Sequence, residues 1–184
     1  MRDEGQIWSA PFTLDTPRLC IAPCDNEAAL ALAKIVMDPR VYAPFYVGQQ
    51  ARFPAAVDLQ YWIQLAHDWK DKSRFNLAVR LRGAGAVIGH IQFTPVQVAY
   101  FVHPEYWQNG YGREMLSAAC HIPRLLGIGT LEARVIRENI GSRRILEHIG
   151  FAFKGITTRA WGGGSGTVTM LRYELLEHRE GLQQ

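Results

Sequence analysis

The fold is decided by one stretch in the middle of the chain, VHPEYWQNGYGRE, which runs from Val102 to Glu114. An apolar strand ends at its start, the backbone turns at His103 and Pro104, and a helix begins at the two glycines. Glycine leaves open the space that a Cβ atom would take, and consecutive N–H groups at a helix N-terminus bind anions such as a pyrophosphate. The stretch therefore predicts an anion site, although Gly-x-Gly before a helix is also common in plain turns.

The same stretch excludes two better-known phosphate-binding motifs. The glycines are not followed by the Gly-Lys-Ser/Thr that the P-loop of nucleoside triphosphatases requires. The third glycine of the dinucleotide fingerprint is also missing, and the stretch does not lie in a βαβ unit early in the chain.

Upstream of this stretch, the sequence predicts an antiparallel meander of three strands. Turn residues mark each connection between apolar runs. If Thr94-Pro95 forms the tip of the second hairpin, Gln92 faces Gln97, and His90 lies on the same face of the sheet. The predicted strands cover residues 75–81, 86–93 and 97–102.

The early part of the chain predicts one strand, at 18–22, and two helices. Asp25 can cap the first helix, which Asp38-Pro39 stops. The second helix is expected from about Pro54 to Trp69, where apolar residues recur three and four apart.

Downstream, the helix that begins at the glycines should continue to about Leu126, unless Pro123 bends it or ends it early. Asn139 can cap a later short helix, and Gly150 can end it. The remaining elements are a strand at 131–136, that helix at 140–149, and strands at 151–159 and 168–175.

These elements predict a single α/β (α+β) domain over residues 1–184, with 1–14 as an N-terminal extension and 177–184 as a C-terminal tail. Its sheet is mixed and mostly antiparallel, with about seven strands, two early helices and two late helices. The order strand, glycine turn, helix, strand requires one parallel crossover within it.

Composition excludes several classes of protein. A net charge of +3 suits a polyanionic small ligand and is too weak for nucleic acid. The apolar stretches are too short to cross a membrane, and residues 1–10 lack an apolar signal core, so we expect a cytoplasmic protein. Cys20, Cys24 and Cys120 predict free thiols, and no second pair of ligands completes a metal site.

A second segment, NIGSRRILEHIGF from Asn139 to Phe151, completes a recognisable pattern. Together the two segments, about thirty residues apart, resemble the GCN5-related N-acetyltransferase (GNAT) superfamily. The resemblance is strongest to its RimJ/RimL-type branch of ribosomal-protein N-terminal acetyltransferases, and it includes the opening Thr16-Pro17-Arg18-Leu19.

The resemblance implies an enzyme that binds acetyl-CoA and transfers the acetyl group directly to a primary amine. The backbone amides of 108–112 would bind the pyrophosphate. The strand that ends at Val102 would splay from the strand that begins at Leu131, with the pantetheine arm between them. The implied cofactor-binding residues are Val102, Gln108, Asn109, Gly110, Tyr111, Gly112, Arg113, Asn139 for the pantetheine arm, and Arg143 (or Arg137 or Arg144) for the 3′-phosphate.

Acetyl transfer needs a neutral amine, an oxyanion contact and a proton source for the thiolate. The resemblance implies that a backbone N–H within 101–103 makes the oxyanion contact. Leu146 stands where other branches carry a Tyr acid, so that role falls to Ser142. Gln97 stands where a strand Glu often acts as base, and an amide cannot accept a proton at neutral pH. His90 is a candidate replacement, or else a core histidine held by backbone hydrogen bonds.

The expected acceptor is a peptide or protein N-terminal α-amine, because a weakly basic amine needs no strong base. The loops at 41–53 and 162–166 are candidates for acceptor recognition. A small-molecule amine acetyltransferase remains an alternative, and Gln97 keeps open a catalytically weak acyl-CoA-binding module. We expect no metal, nucleic-acid or membrane partner, and either a monomer or a homodimer.

Overall fold

The computed structural model describes residues 12–42, 74–122, 130–160 and 167–176. The helices in these residues are α1 (Asn26–Val36), α2 (Pro39–Tyr42), α3 (Tyr111–Ala119) and α4 (Ile140–Ile149), with a 3-10 turn at Pro104–Tyr106. The strands are β1 (Leu14–Asp15), β2 (Leu19–Pro23), β3 (Phe75–Leu81), β4 (Val87–Phe93), β5 (Val98–Val102), β6 (Thr130–Ile136), β7 (Ala152–Ala160) and β8 (Thr167–Leu176).

The strands form two antiparallel sheets that meet at one point. The first has the order β1-β2-β3-β4-β5 and the second β6-β8-β7. A parallel bridge pairs Gln97 with Glu132, and the Glu132 N–H donates to the Val96 carbonyl at 2.8 Å. Beyond this bridge β5 and β6 diverge, which is the splay that the resemblance implied.

Helices cover both faces of the first sheet. Because side chains alternate along a strand, Leu77 and Ile91 point into the core cluster that contains Met115 of α3 and Leu146 of α4. Ala78, between two such residues, belongs to the cluster that includes α1. The fold is therefore a layered α+β arrangement, as predicted.

Local signals placed most elements correctly. The Asp25 carboxylate accepts from the Ala28 N–H at 2.7 Å and caps α1, and α4 has the predicted bounds. Leu14, which the sequence assigned to the N-terminal extension, pairs with Ile21 and so belongs to the sheet. The predicted helix at 54–69, the loops at 41–53 and 162–166, and the tail at 177–184 lie largely or wholly outside the described residues.

Helix α3 is shorter than the sequence predicted. It ends at Ala119, and the Cys120 N–H makes the last hydrogen bond, to the Leu116 carbonyl. An early end is one of the two outcomes that the sequence analysis gave for Pro123, the other being a kink. The chain is helical again at Ile122, and Pro123 itself lies outside the described residues.

The second hairpin has a different register from the predicted one. Gln92 pairs with Ala99 instead of Gln97, and Thr94 donates its N–H to the Gln97 carbonyl at 2.9 Å. The tip is therefore Pro95 and Val96, which puts proline at the second residue of the turn, where its fixed φ is favourable. The observed register differs from the predicted one by two residues, so each side chain lies on the face of the sheet that was predicted for it.

The three cysteines are free thiols, as predicted. Burial raises the pKa of Cys24 to about 12, and the Asp25 carboxylate adds to this effect. Burial also raises the pKa of Cys120 to about 12. Neither thiol is thus activated as a nucleophile.

Candidate functional site

A cleft opens between β5 and β6 beyond the point where they meet. Its walls are residues of the two strands, and the first turn of α4 closes one side. The lining includes Val98, Tyr100, Ala133, Ile136, Asn139 and Ser142. The cleft therefore exists because β5 and β6 diverge.

The N–H groups of alternate β5 residues point into this cleft. His103 donates its N–H to the Ile88 carbonyl of the β4 side at 2.7 Å. Alternate residues of an antiparallel strand turn their backbone groups to opposite sides, so the N–H of Val102 points away from β4. The Trp107 Nε1–H donates to the Val102 carbonyl at 2.7 Å and fixes the end of the strand. Of the stretch 101–103, only Val102 turns its N–H away from β4. An oxyanion contact of this N–H stays a prediction.

The glycine turn contains two residues with left-handed backbone. The φ angles of Gln108 and Gly110 are +62° and +79°, and α3 begins at Tyr111. A Cβ atom at Gly112 would lie 2.9 Å from Cδ1 of Ile145, the flexible end of a side chain on α4. That the missing side chain also leaves room for a pyrophosphate stays a prediction.

Asn139, Ser142 and Tyr100 meet at one wall of the cleft. The Asn139 side-chain oxygen accepts from the Ser142 N–H at 3.0 Å and so caps α4. The Ser142 hydroxyl lies 2.8 Å from the Tyr100 hydroxyl. Burial raises the pKa of Tyr100 to about 12, so its phenol is protonated at neutral pH. Sequence reasoning missed Tyr100, although alternation along β5 puts it beside the cleft.

Gln97 makes a hydrogen bond to a carboxylate that the sequence analysis also missed. Its Nε2 donates to Glu132 Oε1 at 3.0 Å, where β5 and β6 meet. Burial alone would raise the pKa of Glu132, but hydrogen bonds from Gln97 and Arg134 and the charges of Arg134 and Arg172 outweigh it and lower that pKa. The carboxylate is therefore ionised at neutral pH and a weak base.

His90 does not reach the cleft. It is buried on the α1 face of the sheet, where its Nε2 lies 3.2 Å from the Asn76 side-chain oxygen. Its ring is tilted by 38° against that of Phe101, with the centroids 5.4 Å apart. Burial lowers the pKa of His90 to about 3. Burial and the lowered pKa weigh against His90 as a base and favour the alternative of a core histidine, here beside a side-chain oxygen.

The buried His90 predicts acid-sensitive folding. The unfolded chain binds a proton on this histidine near pH 6.5 and the folded chain only near pH 3. Between these values the unfolded state holds more protons, so the free energy of unfolding should fall as the pH drops below about 6.5. His90→Gln should flatten this dependence in denaturant titrations at pH 5, 6 and 7.5, whereas His121→Gln, at an exposed histidine, should not. An unchanged slope in His90→Gln would contradict the assignment.

Arg143 does not line the cleft, although its neighbour Ser142 does. Its Nη1 donates to the Arg137 carbonyl at 3.2 Å, and its Nε is buried without a hydrogen-bond partner among the described residues. Both arginines line a second cavity beside Phe153 and Tyr173. A contact between Arg143 and the 3′-phosphate stays a prediction.

Within the four described ranges, no group of three His, Cys, Asp or Glu side chains could hold a metal ion. Across the same ranges, no helix is long and apolar enough to span a membrane.

Comparison with known proteins agrees with this geometry. Residues 18–152 match the model of the family described as the acetyltransferase (GNAT) domain. A Bacillus subtilis protein, the uncharacterized N-acetyltransferase YoaA, is 24% identical over 152 residues, which cover 78% of this chain and 84% of that protein.

Solved structures show the same fold at low sequence identity. The ribosomal-protein-S5-alanine acetyltransferase of Vibrio fischeri has a TM-score of 0.75 at 16% identity, covering 91% of this chain and 98% of that one. Mycobacterium smegmatis RimJ, in complex with CoA-disulfide, has a TM-score of 0.72 at 18% identity, covering 95% and 89%.

Proposed function

Because the chain belongs to the GNAT acetyltransferase family, we propose that it transfers the acetyl group of acetyl-CoA to the α-amine of a peptide or protein N-terminus. The family sets the reaction as acetyl transfer from acetyl-CoA. The acceptor is the part that we infer, and the chemistry of the residues around the cleft carries the inference.

The supporting observation is that none of three side chains near the start and side of β5, Gln97, His90 and Glu132, is a base with a pKa near 7. Gln97 is an amide, His90 is buried with a pKa of about 3, and the pKa of Glu132 is lowered. If none of these side chains takes the proton near neutral pH, the reaction depends on the neutral fraction of the amine. About a tenth of an α-amine with a pKa near 8 is neutral at pH 7, whereas a lysine ε-amine with a pKa near 10.4 is almost wholly charged.

We place the acetyl-CoA in the cleft. The amides of the turn at 108–112, the first N–H groups of α3 among them, would bind the pyrophosphate, with Arg113 beside them, and the pantetheine arm would run between β5 and β6 past Asn139. The thioester would then lie near Val102, whose N–H points away from β4.

In the proposed reaction the neutral amine attacks the thioester carbonyl carbon. The new C–N bond forms while the carbonyl oxygen takes negative charge, which the Val102 N–H stabilises. The C–S bond then breaks, and the Ser142 hydroxyl gives its proton to the departing thiolate. Tyr100, which contacts that hydroxyl at 2.8 Å, supplies a hydrogen bond to the oxygen left behind. The surplus proton of the amine passes to water, and the Ser142 oxygen takes one proton back from water, which restores its hydroxyl and leaves no net change in protons.

A peptide that carries both a free N-terminus and an internal lysine tests the acceptor directly. After incubation with acetyl-CoA at pH 7, tandem mass spectrometry should place the acetyl group on the α-nitrogen and leave the lysine free. A matched peptide with a formylated N-terminus is the control and should remain unmodified. Acetylation of the lysine in either peptide would contradict the proposal, and turnover only with small amines would favour the small-molecule alternative.

A further inference from the structure

Arg18 and Glu114 join the start of β2 to the first turn of α3. The Arg18 Nε and Nη2 each lie 2.6 Å from Glu114 Oε2, and the Arg18 backbone N–H donates to Oε1 at 3.1 Å. Thr16 donates its hydroxyl to the same Oε1 at 2.6 Å. The Arg18 guanidinium also lies over the Tyr111 ring, 4.4 Å from its centroid. These contacts tie residues almost a hundred positions apart in sequence.

The remaining amino group of Arg18 holds the glycine turn itself. Its Nη1 donates to the Asn109 carbonyl at 2.9 Å. That carbonyl and the N–H of Gly110 belong to one planar trans peptide group, so they point in opposite directions. Because Arg18 binds the Asn109 oxygen, the Gly110 N–H of the same peptide group points away from Arg18. The left-handed φ of Gly110, +79°, suits this arrangement.

Arg18 also compensates a charge that would oppose phosphate binding. Glu114 lies in the first turn of α3, where an uncompensated carboxylate would repel a pyrophosphate. Burial alone would raise the pKa of Glu114, but hydrogen bonds from Thr16 and Arg18 outweigh it and lower that pKa. The carboxylate is therefore charged and needs the guanidinium beside it.

We propose that Arg18 is a positioning residue of the acetyl-CoA site, which orients the Asn109–Gly110 peptide group for the pyrophosphate and neutralises Glu114. The inference rests on the proposed place of the pyrophosphate at this turn. It gives the early Thr-Pro-Arg-Leu motif, residues 16–19, a part in cosubstrate affinity.

The test compares Arg18→Met with a matched arginine. Arg82 donates to the Thr16 carbonyl at 2.9 Å and so supports the segment that carries Arg18. Among the described residues it makes no hydrogen bond to the glycine turn at 108–112. Arg18→Met should weaken CoA binding at least tenfold in calorimetry and raise the KM for acetyl-CoA, with less than a twofold change in kcat. Arg82→Met should leave the Kd for CoA within twofold of the parent. Thermal unfolding without CoA shows whether the two variants lose similar stability.

A truncated donor separates positioning from general damage to the fold. Acetyl-pantetheine carries the same thioester without the pyrophosphate, so Arg18→Met should change its kcat/KM less than twofold. Equal losses with acetyl-CoA and acetyl-pantetheine, or an unchanged Kd for CoA, would overturn the proposal.

Calorimetry with CoA needs no acceptor, so a wrong inference about the α-amine leaves this test intact. Gly112→Val probes the proposed pyrophosphate site as well, because its branched side chain would enter that space. Thermal unfolding of this variant without CoA checks the effect of its contact with Ile145 Cδ1. If both Gly112→Val and Arg18→Met leave CoA affinity unchanged, the proposed place of the pyrophosphate falls as well.

Discussion

Between pH 8.5 and pH 6, kcat/KM for a peptide α-amine should fall about 10²-fold, following the neutral fraction of an amine with a pKa near 8. The reason is that neither Glu132 nor His90 can take the proton near neutral pH, because one pKa is lowered and the other is about 3. The logarithm of the rate should fall by about one unit per pH unit below the amine pKa. At pH 7 a lysine-type amine should react about 10²-fold more slowly, since its pKa lies more than two units higher.

Gln97→Glu tests the same explanation by restoring a base. The new carboxylate would lie next to Glu132, and two neighbouring like charges raise the pKa of one of them. Such a group can accept a proton from the amine, so the variant should gain activity relative to the parent at low pH and show a shallower profile. His90→Ala should keep the parent's slope and lose less than 10²-fold in rate. A parent profile that is flat between pH 6 and 7.5, or a faster reaction with the lysine-type amine, would show that a base has been overlooked.

Ser142→Ala should lower kcat by roughly 10²-fold and leave the Kd for CoA within about twofold. The hydroxyl acts only when negative charge develops on sulfur, so its loss affects the transition state and not the bound cosubstrate. Ser117→Ala, at an exposed position of α3, is the matched control and should behave like the parent. A parallel loss of kcat and CoA affinity would instead mark Ser142 as a structural residue at the start of α4.

Tyr100→Phe separates the two hydroxyls of the pair. It should lower kcat less than Ser142→Ala, because the serine remains to donate. Since the hydroxyls lie 2.8 Å apart, the double variant should lose little more than Ser142→Ala alone. Strictly additive losses in a double-mutant cycle would show that Tyr100 acts without Ser142.

The sequence predicted what local signals determine. Asn139 and Gly150 set the bounds of α4 because a cap and a left-handed stop act within one turn. The predicted hairpin register was wrong because it placed Pro95 at the third residue of the turn. In the structure Pro95 is the second residue, where the fixed φ of proline is favourable. The contacts that define the site are of another kind. The pairs Tyr100–Ser142, Gln97–Glu132 and Arg18–Glu114 join residues 42, 35 and 96 positions apart, and no local pattern indicates them.

The divergence of β5 and β6 gives the domain two internal sheet edges, facing each other across a gap. The unpaired N–H and C=O groups of an edge strand can pair with another extended chain. Because α4 closes one side of the gap, only a narrow, extended molecule would fit between the two edges. With its two amides, the pantetheine arm of the proposed complex would complete the ladder much as a strand does. The cosubstrate then contributes to the fold as well as to the chemistry. The resistance of the protein to unfolding would therefore rise with the surrounding concentration of coenzyme A.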